Sequence, residues 1–98
     1  MKISTEKDGT RLTIAIEGRI DAVTSEKLEK VIDTELEGVT ELIFDLKDLE
    51  YTSSAGLRQF VAADQIMEEQ GSMVIRNANE AVMDIFEETG FSDVFNIE

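Results

Sequence analysis

The apolar residues of this chain change their spacing several times, from every second position to every third or fourth and back. Between Thr10 and Glu17 they alternate with polar residues, a pattern typical of a strand with one buried face. From about Thr24 to Leu36 they follow the 3.6-residue period of a helix. Repeated alternation of the two patterns within 98 residues predicts a single α/β domain, spanning 1–98, with a mostly parallel sheet.

The predicted element order is β-β-α-β-α-β-α-β. A first strand over 2–7 pairs with the strand over 10–17 through the turn signal Asp8-Gly9, which makes the sheet mixed, and Gly18 to Asp21 follows as an irregular connection. In so short a chain we expect the helices mainly on one face of the sheet. The later predicted elements are a strand over 41–46, a helix over 54–70, a strand over 72–76, a helix with a capping box of Asn77 and Glu80 that ends at Gly90, and a strand over 94–97.

Charge limits the partners of the chain. It carries 22 acidic and 9 basic residues, a net charge of −13, which repels phosphate backbones and anionic lipid. We therefore expect no nucleic acid partner and no membrane insertion, since the roughly 20-residue apolar span of a transmembrane helix is also missing. The first residues lack the apolar stretch of a secretory signal, so a cytoplasmic protein is the default expectation. The acidity fits a basic protein surface or serves solubility alone.

The residue types that are missing argue against catalysis. The chain has no Cys and no His, which removes thiolate metal sites, the commonest general base and the commonest zinc ligand. Ser54 and Gly56 do not form a nucleophile elbow, because Thr52 stands where that motif needs glycine. No phosphate-binding glycine loop occurs, and Asp45, Asp48 and Glu50 are more simply surface acids than a cation site. We expect no enzyme activity, no cofactor and no metal.

The segment from Asp48 to Arg58 carries the most chemical information. Two hydroxyls, on Ser53 and Ser54, stand where the second helix begins, at the carboxyl edge of the sheet. A helix N-terminus tolerates a phosphate dianion, and a phosphoryl group on Ser54 would add about −1.5 to −2 charges there. Gly56 allows a close approach of the backbone. On these grounds alone, capping of the helix by the serine is the simpler interpretation.

A family resemblance changes that balance. The segments Gly18-Arg19-Ile20-Asp21, Asp45-Leu46 and Ser53-Ser54-Ala55-Gly56-Leu57-Arg58 resemble the STAS domains of anti-sigma-factor antagonists, over essentially the whole chain. In that family the serine two residues before the motif glycine is phosphorylated by an anti-sigma factor that is itself a serine kinase. The resemblance therefore implies Ser54 as the acceptor. Ser53, where many members have Asp, is the alternative acceptor.

The resemblance also implies a partner-switching function. The unphosphorylated chain would bind an anti-sigma factor serine kinase and free a sigma factor, phosphorylation of Ser54 would release the kinase, and a metal-dependent serine phosphatase would reset the switch. The implied contact edge comprises residues 19–24 and 51–62. Capping of the next helix is an alternative role for the first two of the implied partner-binding residues, which are Asp21, Thr24, Ser53, Gly56, Arg58, Gln59 and Ala62.

Two alternative functions remain possible for a chain of this fold. Small stand-alone STAS proteins also resemble regulatory subunits of lipid transporters and of secretion systems, whose partner is not a kinase. Nucleotide binding or small-molecule sensing is another class, which the missing phosphate-binding loop makes less favourable.

Overall fold

A computed structural model describes all 98 residues of the chain. Strands and helices alternate along most of its length, as the apolar spacing predicts. A short 3₁₀ turn over Phe91–Asp93 follows the last helix. The elements are β1 (Lys2–Asp8), β2 (Arg11–Ile20), α1 (Ser25–Glu35), β3 (Glu41–Asp45), β4 (Leu49–Thr52), α2 (Ser54–Gln70), β5 (Ser72–Arg76) and α3 (Glu80–Thr89).

The sheet has five strands, with the order β1-β2-β3-β5 and with β4 on the same side of β2 as β3. β1 is antiparallel to β2, and every other pairing is parallel. α1 connects β2 to β3, and α2 connects β4 to β5. Because the connections between parallel strands run through helices, the carboxyl ends of β2 and β4 meet at one edge of the sheet.

All three helices pack on one face of the sheet. The inward side chains of β2, Leu12, Ile14 and Ile16, join those of the helices in one core cluster of 21 buried residues. Phe60 of α2 lies edge-to-face on Phe44 of the sheet, with ring centroids 5.0 Å apart. No helix covers the opposite face. The predicted fold class, a mixed and mostly parallel sheet with helices on one face, is confirmed.

The predicted order misses one strand and misplaces the end of another. β2 does not stop at Glu17 but continues to Ile20, so the segment from Gly18 to Asp21 is not an irregular connection. The register shifts between Gly18 and Arg19, where Gly18 adopts φ +95°. β2 pairs with β3 as far as Ala15 and with β4 from Gly18 onward, and the shift lies within the pairing with β4. β4 has four residues, too few to show a period in the sequence.

Two predictions near the carboxyl terminus are also wrong. The cap of α3 is Asn79, whose side chain accepts a hydrogen bond from the Val82 N–H, whereas Asn77 adopts φ +61° and lies outside the helix. Residues 94–97 do not form a strand. They contribute a single bridge, between Ile97 and Ile75, because the N–H groups of Val94 and Phe95 donate to the Phe91 carbonyl and continue the curl of the 3₁₀ turn.

Candidate partner-binding edge

The predicted site residues lie at the carboxyl ends of two paired strands. Ile20 of β2 is in register with Thr52 of β4, and the next N–H, that of Ser53, donates to the Ile20 carbonyl at 2.8 Å. Asp21 and Ser53 therefore leave the sheet side by side, toward α1 and α2 respectively. We call the surface formed by residues 19–24 and 51–62 the switch edge.

The two serines of the switch edge differ in exposure. Ser53 occupies the N-cap position of α2, and its carbonyl accepts the first helical hydrogen bond, from the Leu57 N–H at 3.1 Å. Its hydroxyl caps nothing and is buried without a hydrogen-bond partner. Ser54 is the first residue of the helix, and its side chain is exposed. The interpretation of Ser54 as the helix cap is wrong, because that position belongs to Ser53.

Asp21 and Thr24 hold the connection from β2 to α1. One carboxylate oxygen of Asp21 accepts hydrogen bonds from the backbone N–H groups of Val23 and Thr24, at 3.0 and 2.8 Å. The Thr24 hydroxyl in turn accepts from the Asp21 N–H at 2.8 Å. Hydrogen bonds from the Thr24 N–H and, to a smaller extent, from its hydroxyl stabilise the carboxylate, so the pKa of Asp21 lies below the ordinary value of 3.8. Both residues thus shape the loop beside α2, and the Asp21 side chain stays exposed.

Gly56 lies in the first turn of α2 and is buried against the sheet. A Cβ atom at this position would lie 2.1 Å from Thr52 Oγ1 and 2.8 Å from Ile20 Cγ2. The missing side chain therefore lets the helix start approach β2 and β4 closely. Since Gly56 faces inward, the structure gives it a packing role and places it out of reach of a partner's side chains.

The three implied contact residues further along α2 differ in exposure. Arg58 is exposed and stands one turn after Ser54. Ala62 follows one turn later on the same face and is half-buried. Gln59 is also half-buried, and its amide donates to the Glu29 carboxylate of α1 at 3.4 Å. Ser54, Arg58 and Ala62 therefore form a stripe along the helix, while Gln59 ties α2 to α1.

The switch edge holds three further residues that are not among the implied partner-binding residues. Val23 is 75% exposed, which is unusual for a branched apolar side chain. The guanidinium of Arg19 lies 4.6 Å from the centre of the Tyr51 ring, in a cation–π arrangement. The sequence signal for Val23 and Tyr51 is weak, because an apolar or aromatic residue beside a strand end looks like a core residue until its exposure is known.

The one surface cavity of the chain lies away from the switch edge. This cavity is lined by residues of β1, β2 and the end of β3 and by Lys47 and Asp48, and no residue of the switch edge contributes to it. No group of three or more carboxylates is placed to bind a metal ion. None of the helices is long and apolar enough to pass through a bilayer.

Comparison with known proteins places this geometry in a family. The family model described as the STAS domain matches residues 2–98. The chain belongs to the STAS family. The anti-sigma-B factor antagonist of Listeria monocytogenes is 31% identical to it over 96 residues, covering 95% of this chain and 83% of that protein. The resemblance drawn from the sequence motifs is confirmed.

Solved structures of anti-sigma factor antagonists share the fold. An anti-sigma factor antagonist from Mycobacterium paratuberculosis superposes with a TM-score of 0.83 at 25% identity, covering 98% of this chain and 83% of that one. The anti-sigma factor antagonist SpoIIAA in its unphosphorylated form superposes with a TM-score of 0.74 at 19% identity, covering 95% and 97%. At that identity the second likeness concerns the fold alone.

Proposed function

We propose that this STAS protein is an anti-sigma factor antagonist that works by partner switching. In its unphosphorylated form it binds an anti-sigma factor serine kinase through the switch edge, and the sigma factor held by that kinase is freed. Phosphorylation of Ser54 ends the binding, and a metal-dependent serine phosphatase restores it. The names of the relatives support the antagonist role, and the exposure of Ser54 at the switch edge carries the choice of acceptor.

The difference in exposure between the hydroxyls of Ser53 and Ser54 favours Ser54 as the phosphoacceptor. In the transfer, the Ser54 oxygen attacks the γ-phosphorus of ATP, its proton passes to a base on the kinase, and ADP leaves. The Ser54 hydroxyl is exposed to such an attack, whereas the Ser53 hydroxyl is buried. Phosphorylation of Ser53 would first require the start of α2 to open, which costs the hydrogen bond from the Ser53 N–H to Ile20.

Charge explains how one phosphate ends the binding. The switch edge contains Arg19 and Arg58 as cations and Asp21 as its one anion, a net charge of +1, although the whole chain carries −13. A phosphate of about −1.5 to −2 charges on Ser54 reverses the sign of the edge. A partner surface complementary to the unphosphorylated edge then faces a like charge, which costs several kcal/mol at a close interface.

The apolar part of the edge supplies the contact area. The exposed Val23 side chain lies in the loop held by Asp21 and Thr24, and the Tyr51 ring lies beside Arg19. Tyrosine and arginine are among the residue types that contribute most to protein–protein binding, and Tyr51 and Arg19 lie together here. Arg58 and Ala62 extend this surface along α2. Gln59 positions α2 against α1, and Gly56 sets the depth of the helix start.

The direct test is phosphorylation by a cognate anti-sigma factor kinase with Mg-ATP, followed by mass spectrometry of the peptide that contains both serines. We expect one phosphate, on Ser54. The matched variants are Ser54→Ala, which should take up no phosphate, and Ser53→Ala, which should be phosphorylated as well as the wild type. Phosphate on Ser53, or no phosphate in the presence of an active kinase, overturns the assignment.

A further inference from the structure

β1 leaves one whole edge of the sheet without a neighbour. It pairs with β2 on one side, and no other strand lies beside it. It runs for seven residues, Lys2–Asp8, with no proline and with an unbroken register against β2. An exposed strand edge of this length offers a row of free backbone N–H and C=O groups to another strand.

The hydrogen bonds of β2 show which backbone N–H and C=O groups of β1 are free. The carbonyl of Thr10 accepts hydrogen bonds from Thr40 and Glu41, so the even-numbered residues at the start of β2 face β3 and the odd-numbered ones face β1. The register pairs the odd residues of β2 with the even residues of β1. The backbone groups of Ile3, Thr5 and Lys7 therefore point away from the sheet, into solvent.

We infer that a second copy of this chain pairs with β1, antiparallel and across a two-fold axis at Thr5. In this register Ile3 lies opposite Lys7 of the other copy, and Thr5 lies opposite itself. These are the residues with outward backbone groups, so each can exchange hydrogen bonds with its counterpart. The two sheets join into one continuous sheet, with both sets of helices on the same face.

Charge complementarity supports this occupant. On the helix-free face, the same register places Lys2 opposite Asp8 of the other copy, twice by symmetry. Opposite charges facing each other across strands stabilise the pairing, whereas like charges destabilise it. A shift of the axis to Glu6 would instead set Glu6 against itself. The charged side chains that usually protect an edge strand from association are thus arranged here to match a second copy.

The joined sheet leaves both switch edges free. They lie at the carboxyl ends of β2 and β4, and the two copies run antiparallel, so the edges stand at opposite ends of the dimer. The pairing is therefore independent of Ser54. Two chains of −13 charge repel each other, and salt screens this repulsion, so the dimer should strengthen as ionic strength rises.

Sedimentation equilibrium over a range of concentrations tests the inference. We expect the mass to rise from 11.0 kDa toward twice that value, with a Kd of about 0.1–1 mM, as suits a small interface. Lys2→Glu should weaken the dimer about three- to thirtyfold, and adding Asp8→Lys should restore it. Lys30→Glu on the outer face of α1 changes the net charge by the same amount and should leave the affinity close to the wild-type value.

A second measurement needs no variant. Amide hydrogen exchange in the wild-type chain should slow with rising concentration at Ile3, Thr5 and Lys7, while Ser4 and Glu6, bonded to β2, stay protected throughout. Thr5→Pro, which removes only an outward N–H, should abolish the dimer. A monomer up to about 1 mM, or a dimer that Thr5→Pro and Lys2→Glu leave intact, overturns the inference. Ser54→Ala should dimerise normally, so this result stands apart from the phosphorylation test.

Discussion

At the scale of single residues, the start of α2 separates two adjacent hydroxyls into different environments. Ser53 belongs to the strand end, since its N–H is bonded to Ile20 and its hydroxyl is buried. Ser54 belongs to the helix, and its side chain projects into solvent. A change of one position along the chain therefore decides which hydroxyl a kinase can reach. The close packing at Gly56 fixes where that boundary falls.

Replacing Gly56 with Ala tests this packing. Within a helix, Ala is normally more stable than Gly by about 0.5–1 kcal/mol. Here the added methyl group would lie 2.1 Å from Thr52 Oγ1, so we expect Gly56→Ala to lower the free energy of unfolding by about 1–3 kcal/mol, measured by urea denaturation.

The neighbouring position provides the control for that substitution. Ala55 lies one residue earlier in the same helical turn and is half-buried. Ala55→Gly should cost about 0.5–1 kcal/mol from helix propensity, so the preference for Ala reverses between the two positions. If Gly56→Ala stabilises the chain, the helix start does not depend on the close approach to Thr52.

At the scale of elements, α3 depends on a cap that also reaches the sheet. The side-chain oxygen Oδ1 of Asn79 accepts from the Val82 N–H at 2.9 Å, and its side-chain amide Nδ2 donates to the Leu49 carbonyl of β4 at 2.7 Å. We expect Asn79→Ala to lower the free energy of unfolding by about 1–3 kcal/mol, because both a helix cap and a hydrogen bond to β4 are lost.

Asn77 is the matched control for this cap. It adopts φ +61°, and its amide makes an exposed hydrogen bond to Asp45 at 3.1 Å. Since Gly accepts that backbone conformation without strain, Asn77→Gly should change the free energy of unfolding by less than about 0.5 kcal/mol. Equal losses from the two substitutions would contradict the assignment of the cap to Asn79.

The same elements show how much of the fold the sequence predicts. The long periodic segments were predictable, and α2 begins and ends at the predicted residues, Ser54 and Gln70. β4 was not, because four residues are too few to reveal a period, and its register against β2 shifts between Gly18 and Arg19 in a way that only the tertiary structure defines. The cap of α3 was misplaced because Asn77 and Asn79 carry the same chemistry, and backbone geometry alone distinguishes them.

For the candidate site, the sequence predicted the positions of residues but not the directions of their side chains. The motif located Ser54 and Asp21, and the topology brings both to one edge of the sheet. The sequence could not show that the Ser53 hydroxyl is buried, that Gly56 faces inward, or that Val23 is exposed. These properties depend on the direction of each side chain at a loop or helix start, where no period defines an inner and an outer face.

At the scale of the whole molecule, the acidic charge is concentrated away from the switch edge. The edge carries +1, so the rest of the chain carries −14. None of the three helices has a basic residue in its last turn. Carboxylates there oppose the helix dipole, and their mutual repulsion adds to the cost. We infer that solubility and the distinct charge of the edge are maintained at some expense of stability.

Two substitutions in α3 test this distribution of charge. Glu80 lies in its first turn and Glu88 in its last, and both are exposed. Glu88→Lys should raise the free energy of unfolding by about 0.3–1 kcal/mol relative to Glu80→Lys, although the two variants have the same net charge. The difference should shrink in high salt. Equal free energies of unfolding at low salt would show that carboxylates in the last helical turn do not lower the stability.

The most direct test of the switching mechanism is the affinity of an anti-sigma factor kinase for the chain before and after phosphorylation of Ser54. ADP in place of ATP prevents phosphate transfer during the titration, and Ser54→Ala serves as the control that should bind like the unphosphorylated chain. We expect phosphorylation to raise the Kd at least about 100-fold, because the phosphate reverses the charge of the switch edge. Equal affinities of the two forms would contradict the account.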